Sequence, residues 1–250
     1  MLEKALYNRL IDHININSLL NSQQYGFRSN LSADNAVFNL TYEILKALNS
    51  KMTVGSIFFD LEKAFYSINH SLLINKLPQY GILGKSKLLI ASYLAYRFQR
   101  VQLDNPLSDA KLDSTWMKVK RGVPQGSILG PLLFILYIND LPKAIMPDIT
   151  PIIFTDDTSI LITRQDAKEL QEDLILTFNE VPKWFKQNSL SLNINKTYFT
   201  YFFSKSTVHL EINIIYENNY ITKANELKFL GLNINNTLTL NSHIEKILPN

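Results

Sequence analysis

An apolar, β-prone run from Val54 to Phe59 ends in Asp60, and a second, Ile152 to Phe154, is followed after Thr155 by Asp156-Asp157. Runs of this kind fit buried strands, because both faces of each strand are apolar. Carboxylates at the ends of buried strands can converge from distant positions onto one point. That arrangement is needed to hold two Mg²⁺ ions about 3.5–4 Å apart for in-line phosphoryl transfer. Each acidic position also has an ordinary reading. Asp ends strands because it caps the following turn, and Asp is common in hairpin turns. Yet Thr155 and Thr158 lack the Gly or Asn that a hairpin turn favours, and two adjacent carboxylates between apolar strands repel unless a cation neutralises them.

The 250-residue chain is long enough to bury a proper core as one large domain or two small ones. At 46% hydrophobic and 19% charged residues it has the composition of a globular protein. With no Cys, disulfides and Cys-based zinc sites are excluded. Glu3 and Lys4 interrupt the first turn, so the N-terminus does not resemble a secretory signal. The longest apolar run, Ile128 to Ile138, is too short to span a bilayer, and no membrane partner is expected. The formal charge of +3 does not by itself mark a nucleic-acid binder. Local clusters exist at Arg97 and Arg100, at Lys118, Lys120 and Arg121, and at Lys183 and Lys186, for which an ordinary solvated face is the competing reading.

Periodicity predicts a first helix marked by Leu2, Leu6 and Leu10. A second, capped by Ser32, places Ala36, Val37, Leu40, Ile44 and Leu48 on one face. Val54–Asp60 reads as a buried strand and Ser71–Leu77 as a helix stopped by Pro78. Lys85–Tyr96 reads as a helix with Leu88, Leu89, Tyr93 and Tyr96 inward. Arg100–Leu103 and Thr115–Lys120 read as strands joined by a polar loop. Pro131–Leu141 is apolar all round and predicts a buried helix. Ile152–Phe154 and Ser159–Ile162 predict a hairpin with Asp156 and Asp157 at its tip. Asp166–Phe178 predicts an amphipathic helix kinked or ended by Pro182, and beyond Ser189 the chain reads as short strands. The mixture is α+β.

The segment Arg121-Gly-Val-Pro-Gln-Gly-Ser127-Ile-Leu-Gly-Pro131 has glycines at 122 and 126 that let backbone approach a ligand closely. Pro124 stiffens it, and Gln125 carries both a donor and an acceptor. An ordinary loop entering a buried helix would look much the same.

In order along the chain, these pieces resemble the motifs of reverse transcriptases. Phe59-Asp-Leu-Glu-Lys-Ala-Phe65 resembles motif A, the block from Gly122 to Pro142 resembles motif B, and Phe154-Thr-Asp-Asp-Thr158 resembles motif C. The long middle block is similar to that of LINE-type non-LTR retrotransposons of the Jockey and CR1 type. Gln24-Tyr-Gly-Phe-Arg28 resembles the fingers motif, and Trp184-Phe with Asn188 to Thr197 resembles motif D. Phe229-Leu-Gly-Leu232 resembles motif E, and His243-Ile244 resembles the segment just downstream of that motif.

The resemblance implies a right-hand polymerase palm, an antiparallel sheet with packed helices, with partial fingers and no thumb. Residues 1–55 would be partial fingers, and 56–250 palm with a fingers-side insertion near 81–120. The implied activity is RNA-directed DNA polymerase, with an RNA template, a DNA primer and dNTPs as partners. Asp60, Asp156 and Asp157 would hold two Mg²⁺ ions, for which Mn²⁺ could substitute. Phe65 matches the steric gate that excludes a 2′-hydroxyl, with a plain core Phe as the alternative. Gln125 and Gly126 would touch the incoming nucleotide, and Arg121 and Arg28 would lie near template or triphosphate phosphates. Lys196 matches a candidate proton donor to pyrophosphate, with a solvated strand-start Lys as its alternative.

Tyr66 replaces a usual second Asp, Thr155 a usual Ala, and Leu240 a frequent Trp, without removing an implied metal ligand. The family pattern further implies a parent polyprotein that supplies an endonuclease and the missing thumb, acting in cytoplasm and nucleus. The competing reading is a catalytically silent relic that folds and at most binds nucleic acid. An RNA-dependent RNA polymerase is disfavoured by Phe65.

Overall fold

In chain order the elements are α1 (Leu2–Ile16), α2 (Ala33–Asn49), β1 (Thr53–Phe59), α3 (His70–Lys76), α4 (Gly84–Leu94) and α5 (Leu129–Ile138). They continue with β2 (Thr150–Phe154), β3 (Asp157–Arg164), α6 (Ala167–Gln187), β4 (Tyr198–Phe202), β5 (Thr222–Lys223), β6 (Glu226–Phe229) and β7 (Leu232–Asn235), with shorter pieces between. This is a computed structural model, and it describes residues 2–104, 111–203 and 213–239. Leu240, His243 and Ile244 lie outside the described residues.

The sheet order is β5-β4-β1-β3-β2, with β1 central and antiparallel to both neighbours. β5 joins β4 in parallel, so the sheet is mainly antiparallel with helices on both faces, as the α+β expectation requires. Alternation along β1 sends Val54 and Phe58 to a cluster with Ala36, Leu40 and Ile44 of α2. It sends Ile57 and Phe59 to the larger cluster with Leu170, Leu174 and Phe178 of α6. Gly55 lets α6 come close, since a Cβ there would stand 3.0 Å from Leu174 Cδ1. Between β1 and β3, the hydroxyls of Ser56 and Ser159 lie 3.0 Å apart, so these two buried polar groups satisfy each other.

Several expectations hold in detail. Ser32 caps α2 in a reciprocal capping box with Asn35. All of α5 except Pro131 is buried, as an all-round apolar helix demands. Pro78 follows the end of α3 within a 3-10 turn, Leu77–Tyr80.

Others change. In α1 the buried residues are Leu10 and Ile14, while Leu2 is exposed. In α4 the buried residues are Ile90 and Leu94; Leu88 and Leu89 face solvent, and Tyr96 lies beyond the helix end. That helix is apolar on nearly every side, so periodicity cannot choose its inward face. Pro182 does not end α6, which continues to Gln187. The buried stripe continues past the proline through Trp184 and Phe185, and its burial offsets the roughly 3 kcal/mol an interior proline costs. The two strands expected around the polar loop form a broken ribbon, Phe98–Gln99 with Met117–Lys118 and Gln102–Asp104 with Lys111–Asp113. No helix among the described residues is long and apolar enough to cross a membrane.

The β2–β3 hairpin is tighter than expected. Phe154 pairs with Asp157, so the turn is Thr155-Asp156 and Asp157 already belongs to β3. Thr155 takes φ +60°, a conformation a β-branched residue adopts only at a cost of about 1–3 kcal/mol. Gln24, 1% exposed, holds it there. Gln24 Oε1 accepts from the N–H of Thr155 at 3.2 Å and of Gly26 at 2.8 Å. Main-chain bonds join Tyr25 N–H to Ile153 O and Ile153 N–H to Gln23 O. A Cβ on Gly26 would stand 2.4 Å from Thr155 Oγ1 and 2.6 Å from its backbone nitrogen. Gly26→Ala should therefore destabilise the chain by about 1–3 kcal/mol, the cost of overpacking. Thermal unfolding should show a Tm lower by about 2–4 °C for each kcal/mol; an unchanged Tm would contradict the close packing of Gly26 on the turn.

Candidate active site

The β1–β3 register decides the geometry of the acidic residues. Phe58 pairs with Ser159 and Phe59 with Thr158, so one further step along both strands sets Asp60 beside Asp157. On its other side the Asp60 backbone is fixed twice. Its carbonyl accepts from Asn193 N–H at 2.9 Å, and its N–H donates to Thr197 Oγ1 at 3.4 Å. Asp156 follows in the tight turn, next to the strained Thr155. All three carboxylates are half-buried.

Their charges sense one another. Burial pushes the Asp157 carboxyl up to about 6, and the charges of Asp156 and Asp60 push the same way. Burial also raises Asp156, opposed by a bond from its own backbone N–H and reinforced by Asp60. Among the described residues no three His, Cys, Asp or Glu side chains stand in metal-holding geometry; the three carboxylates are near enough to sense one another's charge without forming a metal cage. The donor set, all carboxylate oxygen, suits a hard divalent cation.

Asp60, Asp157 and Lys196 line one open cleft of about 1180 Å³. Its far wall is the β6–β7 hairpin, contributing Lys228, Gly231 and Asn233. The hairpin is anchored from beneath by Phe229, whose ring meets Phe58 edge-on at 5.5 Å. So the segment that resembles motif E is partly core, through Phe229, and partly cleft wall. Lys196 is exposed in a 3-10 turn, Ile194–Lys196, just before β4.

The remaining sequence-predicted residues form a second group that does not line this cleft. The Phe65 ring is half-buried, stacked on Phe134 of α5 at 4.6 Å with Phe27 edge-on at 6.4 Å. Gln125 and Gly126 are exposed, and a Cβ at Gly126 would meet no atom within 4 Å, leaving that loop open to an approaching group. Tyr66 donates through its hydroxyl to Gln125 Oε1, which gives the residue at the departure from motif A a direct role in orienting the loop. Arg121 is exposed, and its backbone bridges to Asn69. Arg28 Nη1 donates to the carbonyls of Asn21 (2.8 Å) and Gln24 (3.0 Å), so this side chain braces its own loop.

Two contacts that sequence reading missed hold the groups together. Gly122, at φ +79°, lies so close to the Phe65–Tyr66 turn that a Cβ would stand 2.7 Å from Tyr66 Cα. Val123 N–H donates to Phe65 O at 2.9 Å and Gly122 N–H to Ile68 O at 2.8 Å. Gln24 and Phe27 tie the fingers motif to Thr155 on one side and Phe65 on the other. The only sequence signal for Gln24 was its place in a motif, because a buried amide has no periodic signature.

The raised carboxyls make a stability prediction. A carboxyl whose folded pKa lies above its ordinary value contributes stability that is complete below that value, 3.8, and lost as pH rises through about 6. Without divalent cations, Asp157→Asn should then raise Tm at about pH 7.5 by about 2–4 °C, the shift that about 1 kcal/mol gives in a chain of this size. The gain should vanish as pH falls toward 4. A Tm lowered at neutral pH would contradict the cost of the buried charge.

Residues 1–234 match the family described as "Reverse transcriptase (RNA-dependent DNA polymerase)". A relative in Drosophila melanogaster, "Probable RNA-directed DNA polymerase from transposon BS", is 28% identical over 97% of this chain and 27% of its own length. The "RNA-directed DNA polymerase from mobile element jockey" of Drosophila funebris is 24% identical over 99% of this chain and 27% of its own. The chain thus spans about a quarter of the length of these relatives. A telomerase from Candida tropicalis, solved with a fragment of telomeric RNA, superposes with a TM-score of 0.60 at 16% identity. It covers 95% of this chain and 36% of that one; the likeness is one of fold, that of a right-hand polymerase. The chain belongs to the reverse transcriptase (RNA-dependent DNA polymerase) family.

Proposed function

We propose that this chain is the nucleotidyl-transfer domain of an RNA-directed DNA polymerase from a non-LTR retrotransposon. The observation that carries it is the β1–β3 register, which brings Asp60 and Asp157 together, with Asp156 at the adjoining turn, inside a chain of this family. In this reading residues 1–55 are fingers and the sheet from residue 56 onward is palm, with the ribbon region near 81–120 on the fingers side. A silent relic that only binds nucleic acid has no comparable support, since each implied catalytic carboxylate is present and held in place.

Asp60, Asp156 and Asp157 would hold divalent cations, Mg²⁺ by preference, and the burial and like charges that raise two of these carboxyls would be offset on binding. When bound, such ions supply charge neutralisation and a more acidic primer 3′-hydroxyl. The protein's own work is orientation. The cleft between the carboxylates and the β6–β7 hairpin would take the primer end, as its wall of backbone and Lys228 suits a phosphate chain. Lys196, on the same cleft, would donate a proton to the departing pyrophosphate. Phe65, pinned between Phe134 and Phe27, would present a ring edge that a 2′-hydroxyl cannot pass. Gln125, oriented by Tyr66, and Gly126 would receive the nucleotide, with Arg121 and the remaining face of Arg28 near phosphates.

Primer extension on an RNA template with Mg²⁺ tests this. The chain, or a longer protein containing it, should extend a DNA primer with dNTPs. Asp156→Ala should reduce the rate by at least about a thousandfold, matching several kcal/mol of lost charge stabilisation. Phe65→Ala should keep synthesis and raise ribonucleotide incorporation by about tenfold or more, equal to about 1.4 kcal/mol of discrimination. No synthesis by either wild-type protein would refute the enzyme reading. Unchanged sugar discrimination would refute the gate.

A further inference from the structure

The ribbon between α4 and α5 carries a surface that the catalytic reading does not use. Phe98 pairs directly with Lys118, so alternation places Arg100 and Trp116 on the same face. The ring contacts agree: the Arg100 guanidinium lies 4.9 Å from the Trp116 ring centre, and Lys118 Nζ lies 5.6 Å from that of Tyr96. Three aromatic rings and two cations thus interleave on one side of a two-stranded ribbon. They are open to solvent, with Tyr96 82%, Trp116 61% and Phe98 56% exposed.

Charge is concentrated here as well. From Tyr96 to Arg121 the sequence holds six Lys or Arg and three Asp, a local +3 that equals the net charge of the whole chain. In the other basic cluster found in the sequence, Lys183 pairs with Glu180 and Lys186 with Glu217, whereas on the ribbon Lys118 lies over the Tyr96 ring. On the ribbon, Arg100 pairs with Asp113 while lying over Trp116, so its guanidinium is held beside an exposed ring. Exposed rings alone would be an aggregation hazard. Rings alternating with cations match a strand whose bases stack and whose phosphates are negative.

We infer that this ribbon face is a binding platform for single-stranded nucleic acid, recognised by base stacking on Tyr96, Phe98 and Trp116 and by phosphate contacts to Arg100 and Lys118. Duplex is a poorer occupant, because its bases are already stacked and cannot offer their faces to the rings. The ribbon runs through Lys120 directly into Arg121 and the loop that carries Gln125. Assigning the bound strand as unpaired template RNA rests on the proposed polymerase function; the platform itself does not.

Fluorescence anisotropy with a labelled 20-nucleotide oligouridylate, in EDTA at about 0.1 M salt, tests the platform without catalysis or divalent ions. The triple variant Tyr96→Ala, Phe98→Ala, Trp116→Ala should bind at least tenfold more weakly, with circular dichroism and Tm unchanged because all three rings are exposed. Its affinity for blunt duplex RNA of equal length should change less than twofold. Arg100→Gln with Lys118→Gln should flatten the salt dependence by about 1.4 in log–log slope, for two phosphates on a single strand. Oligouridylate should also quench tryptophan fluorescence through Trp116, the other tryptophan, Trp184, being buried; Trp116→Phe should remove the quench and keep binding.

Wild-type affinity for oligouridylate in the triple variant would overturn the inference. So would a concentration-dependent dimer that the triple variant abolishes without altering RNA binding. Asp156→Ala should bind oligouridylate as wild type does, so loss of synthesis with intact ribbon binding, or the reverse, separates failure of one reading from failure of the other.

Discussion

The antiparallel pairing of β1 with β3 is the constraint on which the site depends. A two-strand register fixes which residues sit side by side, and here it sets Asp60 next to Asp157 with Asp156 one residue away. Carboxylates buried this way work against the fold: burial first, and the neighbouring charges second, raise the Asp157 carboxyl. The register survives because both faces of the sheet are buried, against α2 on one side and α6 on the other. A slip of one residue would turn every apolar side chain of β1 to the opposite cluster and break the Ser56–Ser159 pair. Burial of the strands thus maintains an arrangement that its own charged ends oppose.

The turn carrying Asp156 is held from outside the sheet. A series of polar contacts leads to it from the end of α5. Asn139 binds the backbone of Leu19 and Asn21 through both atoms of its amide. Arg28 binds the carbonyls of Asn21 and Gln24, and Gln24 binds Thr155 N–H. Each contact fixes backbone in a loop where no ladder could. The Gln24 Nε2 is buried without a partner among the described residues, a further cost at the same spot, and strain and unmet polar groups commonly gather where geometry serves chemistry. The loop through Gly122 plays the corresponding part for Phe65 and Gln125, because a glycine lets two backbones touch there.

Much of this was legible in the residues. The apolar runs before Asp60 and before Asp156-Asp157 identified β1, at the centre of the sheet, and β2, at its edge, and the all-apolar stretch after Pro131 identified the buried helix. Ser32 was a local signal and became a local structure. What failed did so where several answers were chemically equal. Helix α4 is apolar on most sides, so its inward face depended on partners far along the chain. Pro182 reads locally as a breaker, yet tertiary burial of Trp184 and Phe185 carries α6 beyond it. The absence of Gly at the β2–β3 tip argued against a tight turn; the turn is tight because Gln24, distant in sequence, stabilises Thr155 at positive φ. Contacts such as Gln24–Thr155 and Tyr66–Gln125 join residue types with no periodicity, and only the fold reveals them.

In the proposed function the three carboxylates together bind divalent cations, and that is the use the register would serve. Crystals of the chain grown with Mn²⁺ and a deoxynucleoside triphosphate offer the most direct measurement, since manganese is located by its anomalous scattering. Anomalous peaks are expected between Asp60, Asp156 and Asp157, and should be absent when Asp60 is replaced by Ala. Manganese bound only elsewhere on the chain, with these carboxylates unengaged, would contradict that use.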